Sequence, residues 1–268
     1  MLVVIAGAFD LSQAPVAGLA AMVSATVWKE WGLDPALAIC VGLAVGTACG
    51  FANGLLAARF RLNPIVMTLA TSSIFLSFTY FLTRGEAIVG LPESFTWLGQ
   101  GQIGPVPAPI VVMLLVTLVM HLLLTRTLFG LRVLMIGGNL KASTDIGINV
   151  ERVRIGVFTI SGFLAALGGI VLLGRLGNAL PQIGVGLLFP VVTATIVGGT
   201  LLSGGRGSMA GTLIGAAIMG IVNNALAILQ FSIYLQDGAQ GALVVAALLI
   251  DQMRRGELTW KMIIGRDR

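Results

Sequence analysis

"ALAICVGLAVGTACGFANGLLA", residues 36–57, runs for 22 positions without a charged side chain. A helix needs about 20 mostly apolar residues to cross the roughly 30 Å hydrocarbon layer of a bilayer. The rest of the chain supports that reading. Its 268 residues are 57% hydrophobic and 10% charged, with a mean hydropathy of +0.99. Soluble domains carry about 25% charged residues. A chain this poor in charge cannot cover a water-facing surface, so its solvent is a membrane. Gly42, Gly46, Gly50 and Gly54 recur every four residues in the same stretch. On a helix they form one bare groove that lets a neighbouring backbone approach, which points to helix packing. Cys40 and Cys49 would lie roughly 13 Å apart along that helix. That is too far for a disulfide, so both read as small apolar packers.

Seven further apolar segments accompany this one, for eight expected spans: 11–28, 36–57, 64–83, 109–125, 155–174, 186–202, 209–229 and 233–250. Two are weaker: segment 186–202 is short and contains Pro190, Gly198 and Gly199, and segment 233–250 begins with Gln236, Asp237 and Gln240. With eight spans, 13 of the 16 Lys and Arg fall on the side that holds both termini, and only Lys29, Arg84 and Arg175 on the other. Basic residues accumulate on the cytoplasmic side of membrane proteins, so that side is the cytoplasm. The net charge of +5 is therefore a topology signal, and no nucleic-acid partner is expected. Residues 1–250 read as one transmembrane domain with a cytoplasmic loop over 126–154, followed by a basic cytoplasmic tail over 251–268. The opening "LVVIAGAF" is apolar but less than half a span, and it reads as the end of a span that starts upstream of Met1.

The cytoplasmic loop contains "GGNLKASTDIGINVERVR", residues 137–154. Gly137 and Gly138 break what precedes them. Asn139 then offers a helix cap, followed by small residues and by Leu140, Ile146 and Ile148 as apolar teeth. A short amphipathic helix that inserts into a partner's cleft fits; so does an ordinary interfacial helix anchored by basic residues. The residues leave both readings open. Within the spans, Asn53, Asn223 and Asn224 either bond neighbouring helices or line a solute path. Asp10 and Asp237 are the acids near membrane depth, Asp10 suiting a helix break and Asp237 the outer surface. His121 is the single histidine, without ligand-spaced companions, so no metal site is expected. "SGGRGS", residues 203–208, lacks the Gly-Lys pair of a phosphate loop and reads as a turn. No catalytic residues are expected.

Three stretches together resemble one family. "GAFDLSQAPVAGLAAM" (7–22) is similar to its Gly-x-Asp-Leu-Ser segment. "LFGLRVLMIGGNLKASTDIGINVERVR" (128–154) is similar to its cytoplasmic loop, with Gly130, Gly137, Gly138, Asn139, Ala142, Gly147 and Ile148 in matching places. "VGGTLLSGGRGSMAGTLIGAAIMGIVNNAL" (197–226) is similar to its late Gly-rich turn and Asn-Asn helix. The family is the membrane permease subunit of bacterial monosaccharide ABC importers of the ribose, xylose and arabinose type. The resemblance implies an all-α polytopic bundle in the inner membrane, of about eight spans here against about ten in the family. It implies that Asn139, Leu140, Ala142, Ser143, Asp145, Ile146, Gly147 and Ile148 form a coupling helix that docks on an ATPase subunit. A second permease copy and a periplasmic sugar-binding protein would complete the assembly within the membrane lipid. ATP and Mg would be bound by the ATPase, with no cofactor on this chain. Gln13-Ala14-Pro15 departs from the family pattern, which more often has Val-Gly and a small residue.

Permeases of the same superfamily carry nucleosides or branched-chain amino acids, and they form the nearest alternative. A stand-alone ion-coupled carrier would place ionisable groups within its spans, and these spans hold almost none. A membrane enzyme would need clustered His, Cys, Asp or Glu at one membrane face.

Overall fold

A computed structural model describes residues 1–254 of the chain. After the single turn α1 (Leu2–Ile5) come α2 (Gln13–Trp31), α3 (Pro35–Ala58) and α4 (Pro64–Thr83). The segment from 84 to 107 holds a short helix, α5 (Glu93–Gln100), and a hairpin of β1 (Gln102–Ile103) and β2 (Val106–Pro107) that pairs Gln102 with Pro107. α6 (Ala108–Arg126) leads to two short helices on the basic side, α7 (Leu128–Gly138) and α8 (Leu140–Asp145). α9 (Val150–Leu176), α10 (Leu188–Val197), α11 (Met209–Ile228) and α12 (Ile233–Arg254) follow. From residue 255 on, the expected basic tail lies outside the described residues, as does the side chain of Asp237.

Local chemistry sets the helix ends. Asp34 and Asn63 cap α3 and α4, accepting hydrogen bonds from the backbone N–H of Ala36 and Ile65, each with proline as the first helical residue. Proline has no N–H to lose at that position. Among the described residues, α3, α4, α6, α9 and α11 are long and apolar enough to cross a membrane on hydropathy alone. α2 has the length but not the hydropathy, and its position explains why. It lies against α3, α4 and α9, with every residue from Val16 to Val27 buried. A helix surrounded by protein need not satisfy lipid, and its Ala-rich surface admits close neighbours.

One expected span needs correction. Segment 186–202 contains only the ten-residue α10, about 15 Å of helix at 1.5 Å per residue, half a hydrocarbon layer. The other half of the crossing is irregular backbone from 178 to 187. Non-helical backbone survives at membrane depth only inside protein or beside a cavity. Here Gly184 packs on Ala14 and Gly18 of α2. Pro190 sits in the first turn of α10, where a helix tolerates it.

The loops assigned to each side by charge do meet one another. On the basic side, Arg59 at the end of α3 approaches Glu151 at the start of α9 at 3.7 Å, and Gly205 donates a backbone hydrogen bond to Ile5. On the opposite side, Ile88 and Ala179 exchange backbone hydrogen bonds, and Gln100 reaches the carbonyl of Arg175. α5 seals that end: Phe95 is fully buried edge-on to Trp28, and Gly99 meets the backbone of Gly174.

The packing is that of a membrane protein turned outward. Leu69, Ile74, Phe78 and Phe81 of α4 and Leu114, Leu115 and Leu118 of α6 are exposed, whereas Asp10, Ser12, Asn53 and Thr68 are buried. In water this arrangement would be prohibitive; in lipid the apolar surface needs no cover. The tightest seam joins α3 to α9. Gly46, Gly50 and Gly54 face Ala166, Gly162, Phe158 and Ile155, while Gly42 faces Ser24 and Ala20 of α2. α3 is thus held from two sides along one glycine edge.

Candidate coupling and translocation site

Three polar caps shape the basic-side loop. The hydroxyl of Thr127 accepts from Gly130 N–H at 3.1 Å, Asn139 from Ala142 at 2.9 Å, and Asn149 from Arg152 at 3.0 Å. Each cap starts a helix at once, so the chain turns sharply into α7, α8 and α9. Gly147, at φ +82°, supplies the left-handed residue that lets the chain leave α8 for α9. α8 carries two faces. The Ser143 side chain is buried, its hydroxyl donating to the Asn139 carbonyl, and Ile148 packs on the core around α1, α7 and α9. Leu140, Ala142, Asp145, Ile146 and Gly147 are exposed. Leu140 and Ile146 are thus large apolar side chains presented at the basic end of the bundle.

A second constellation lies inside the bundle. The carboxylate of Asp10 accepts from the N–H and hydroxyl of Ser12 on one oxygen, at 3.0 and 2.6 Å, and from the Ser161 hydroxyl on the other, at 3.0 Å. Gln13 donates to the same Ser161 oxygen at 3.0 Å, and Asn53 donates to the Ser12 oxygen at 2.7 Å. Between them, the Leu11 N–H donates to Thr68, and its carbonyl accepts from Ser72. The loop before α2 is therefore tied to α3, α4 and α9 at once. Sequence reasoning placed a helix break at Asp10 and missed this hub. The signal was a carboxylate at membrane depth, which is rare without partners. Asp10→Ala strands the Ser12 N–H and the Ser161 hydroxyl, each costing about 1–3 kcal/mol when buried unpaired. We expect a clear drop in melting temperature in detergent, with Asp10→Asn, which keeps an acceptor, between Ala and wild type. Equal melting of all three would show that the hub does not stabilise the bundle.

A cavity of about 450 Å³ opens beside this hub, between α1, α2, α6, α9, α10 and α11. Gln13, Ser161 and Thr212 are its polar contributors, against walls of Ala17, Leu164 and Leu188. The three span asparagines do not come together there. Asn53 is wholly buried between helices, its Oδ1 without a hydrogen-bond partner among the described residues. Asn223 is half-buried and accepts from Gln240 of α12 at 3.3 Å. Asn224 is exposed on α11.

A bundle with an apolar exterior, a broken crossing, a polar interior and a capped basic-side helix defines a polytopic α-helical membrane protein. The chain belongs to the family described as branched-chain amino acid transport system, permease component, whose model matches residues 1–248. It is 37% identical over 254 residues to a ribose import permease protein of Bacillus subtilis, covering 94% of this chain and 79% of that one. It is 33% identical over 257 residues to an L-arabinose ABC transporter permease protein of Azospirillum brasilense, covering 96% and 76%. It is 34% identical over 252 residues to a D-allose transport system permease protein of Escherichia coli, covering 94% and 77%. No solved structure matches.

Proposed function

We propose that this chain is the membrane-spanning permease subunit of an ATP-binding-cassette importer that moves a monosaccharide across the bacterial inner membrane. The observation that carries the reading is likeness along nearly the whole chain to permeases named for ribose, arabinose and allose. The basic side and the C-terminus face the cytoplasm. The chain works with an ABC ATPase, which binds ATP and Mg and hydrolyses the nucleotide, and with a periplasmic sugar-binding protein. This subunit has no ATPase site or cofactor of its own.

The geometry supports a division of labour. α8, from its cap Asn139 to Ile148, docks on the ATPase through Leu140, Ala142, Asp145, Ile146 and Gly147, while Ser143 and Ile148 hold it to the bundle. Asn223 and Asn224 lie about 22 Å along α11 from its basic end. An amide facing lipid at that depth is costly, so a second permease copy and the solute path cover them. Asn53 serves the path indirectly, by holding the Ser12 loop. Closing of the ATPase pushes α8, and the bundle alternates between outward-open and inward-open states.

The test is reconstitution of the chain with its ATPase and binding protein in liposomes, offering radiolabelled D-ribose, L-arabinose, D-allose and leucine. ATP-dependent uptake of one of the sugars, absent without the ATPase, is expected. Uptake of leucine alone would replace the sugar reading with the amino-acid one. Uptake of any of the four driven by an ion gradient without ATPase would overturn both.

A further inference from the structure

Immediately before the coupling helix, three separate backbone segments interlock without side chains between them. Gly137 closes α7, and a Cβ there would collide with the Ile5 carbonyl and lie 2.5 Å from the Gly205 nitrogen. Gly205 in turn donates its N–H to that Ile5 carbonyl at 2.8 Å. A Cβ on Gly204 would lie 2.9 Å from the Gly137 carbonyl oxygen and 3.0 Å from the Gly7 Cα, and one on Gly205 2.7 Å from the Gly138 Cα. Three of these glycines, Gly7, Gly204 and Gly205, hold positive φ, so the turns cannot relax to accept side chains.

This junction has two outputs. On one side, Gly138 is followed directly by Asn139, the cap of α8. On the other, only two residues separate Gly7 from Asp10, whose loop is bonded to Ser161 of α9, to Asn53 of α3 through Ser12, and to Thr68 and Ser72 of α4 through Leu11. The Gly204–Gly205 turn leads into α11, which Ser208 caps. Close-packed backbone has little compressibility and transmits displacement rather than absorbing it.

We propose that the Gly7–Gly137–Gly204–Gly205 junction is the positioning element that delivers movement of α8 to the bundle, by carrying it to the Asp10–Ser12 loop. The inference rests on the coupling role given to α8 above. It makes the glycines part of the transport cycle rather than of assembly: the junction must stay tight for ATPase closure to reach α2, α3, α4 and α9.

The test uses the full complex in liposomes and reads three quantities together: ATPase co-purified per permease, ATP hydrolysed, and labelled sugar imported per ATP, with the sugar chosen from the three above by wild-type uptake. Gly137→Ala should keep the ATPase bound and hydrolysing within about twofold of wild type, while import per ATP falls at least tenfold. Gly138→Ala, where the added methyl group meets nothing within 4 Å, should behave as wild type. Import per ATP unchanged in Gly137→Ala, or loss of the ATPase from that complex, overturns the proposal.

If Gly137→Ala yields no complex, a second pair decides. A Cβ at Gly207 would lie 2.8 and 2.9 Å from the outer carbons of the Ile5 side chain and 3.0 Å from Thr200 Cγ2, all side-chain atoms that can shift enough for the protein to fold, with Ile5 the closer. Gly207→Ala should lower import per ATP, and adding Ile5→Ala, which removes both carbons, should restore it relative to Ile5→Ala alone. No effect of Gly207→Ala, or no restoration, overturns the junction. Replacing α8 in parallel separates the two readings. An α8 replacement that still couples defeats the docking role itself; a required α8 with a tolerant junction defeats only this proposal.

Discussion

Replacing Asn139–Ile148 by a Gly/Ser linker of the same length should abolish ATP-driven uptake, an expected drop of at least a hundredfold, and leave the protein in the membrane. The reason is the asymmetry of α8. Most of its side chains, including the large apolar Leu140 and Ile146, are exposed, so removing them costs the fold little. What the bundle loses is the packing of Ile148 and Ser143, about 1–3 kcal/mol. On the docking role proposed for α8, the partner loses its whole docking surface. Membrane fractionation, co-purification of the ATPase and uptake should therefore part company: the first unchanged, the other two lost. Uptake that survives the replacement would remove α8 from the mechanism, and with it the basis for the junction around Gly137.

Gly50→Val prevents the chain from folding to a single species. A Cβ at position 50 would lie 2.9 Å from the Gly162 Cα and 3.0 Å from its nitrogen, and closer still to the Phe158 carbonyl. These are backbone atoms of a long helix, so no rotamer change relieves the clash. Overpacking costs typically 1–3 kcal/mol where side chains can shift; a collision of helix backbones should exceed that. α3 and α9 must separate, and the glycine edge, together with Asn53 three residues on, leaves its seat. Size-exclusion chromatography in mild detergent should show aggregate in place of the wild-type peak. Gly168→Ala is the matched control, because its methyl group meets nothing within 4 Å and alanine favours helix by about 1 kcal/mol over glycine. It should melt at or above the wild-type temperature. A sharp, stable peak for Gly50→Val would mean that the close approach of α3 and α9 is not required for folding.

Helices α3, α4, α6, α9 and α11 were legible in the sequence because each touches lipid, and hydropathy reports contact with lipid. α2 and α10 were legible only in part for the converse reason. α2 is surrounded by protein, so its composition answers to packing. The crossing that includes α10 is half irregular, because local turns and the Ile88 bridge meet its backbone bonds while α2 packs against it. α5 escaped notice inside a polar loop; its one signal was the amphipathic run after Pro92, with Glu93 in the first turn.

The candidate site divides the same way. The amide of Asn139, the small residues after it and the apolar Leu140 and Ile146 mark a capped, exposed helix, since capping is local chemistry within three residues. That Ser143 faces inward and Leu140 outward depends on how α7 and α9 hold the helix. Asn53, Asn223 and Asn224 looked alike in the sequence, being amides at membrane depth. The fold buries the first, pairs the second with Gln240 and exposes the third. By itself the sequence determined the solvent, most crossings and the helix caps, all of which follow from composition and short-range bonding. Only the tertiary structure decided which polar groups meet, that the Asp10–Ser12 loop is tied to three helices, and that glycines from residues 7, 137 and 204–205 close on one another. Most of those contacts join residues more than forty positions apart, and no local periodicity records which of several equally bare helix edges will touch.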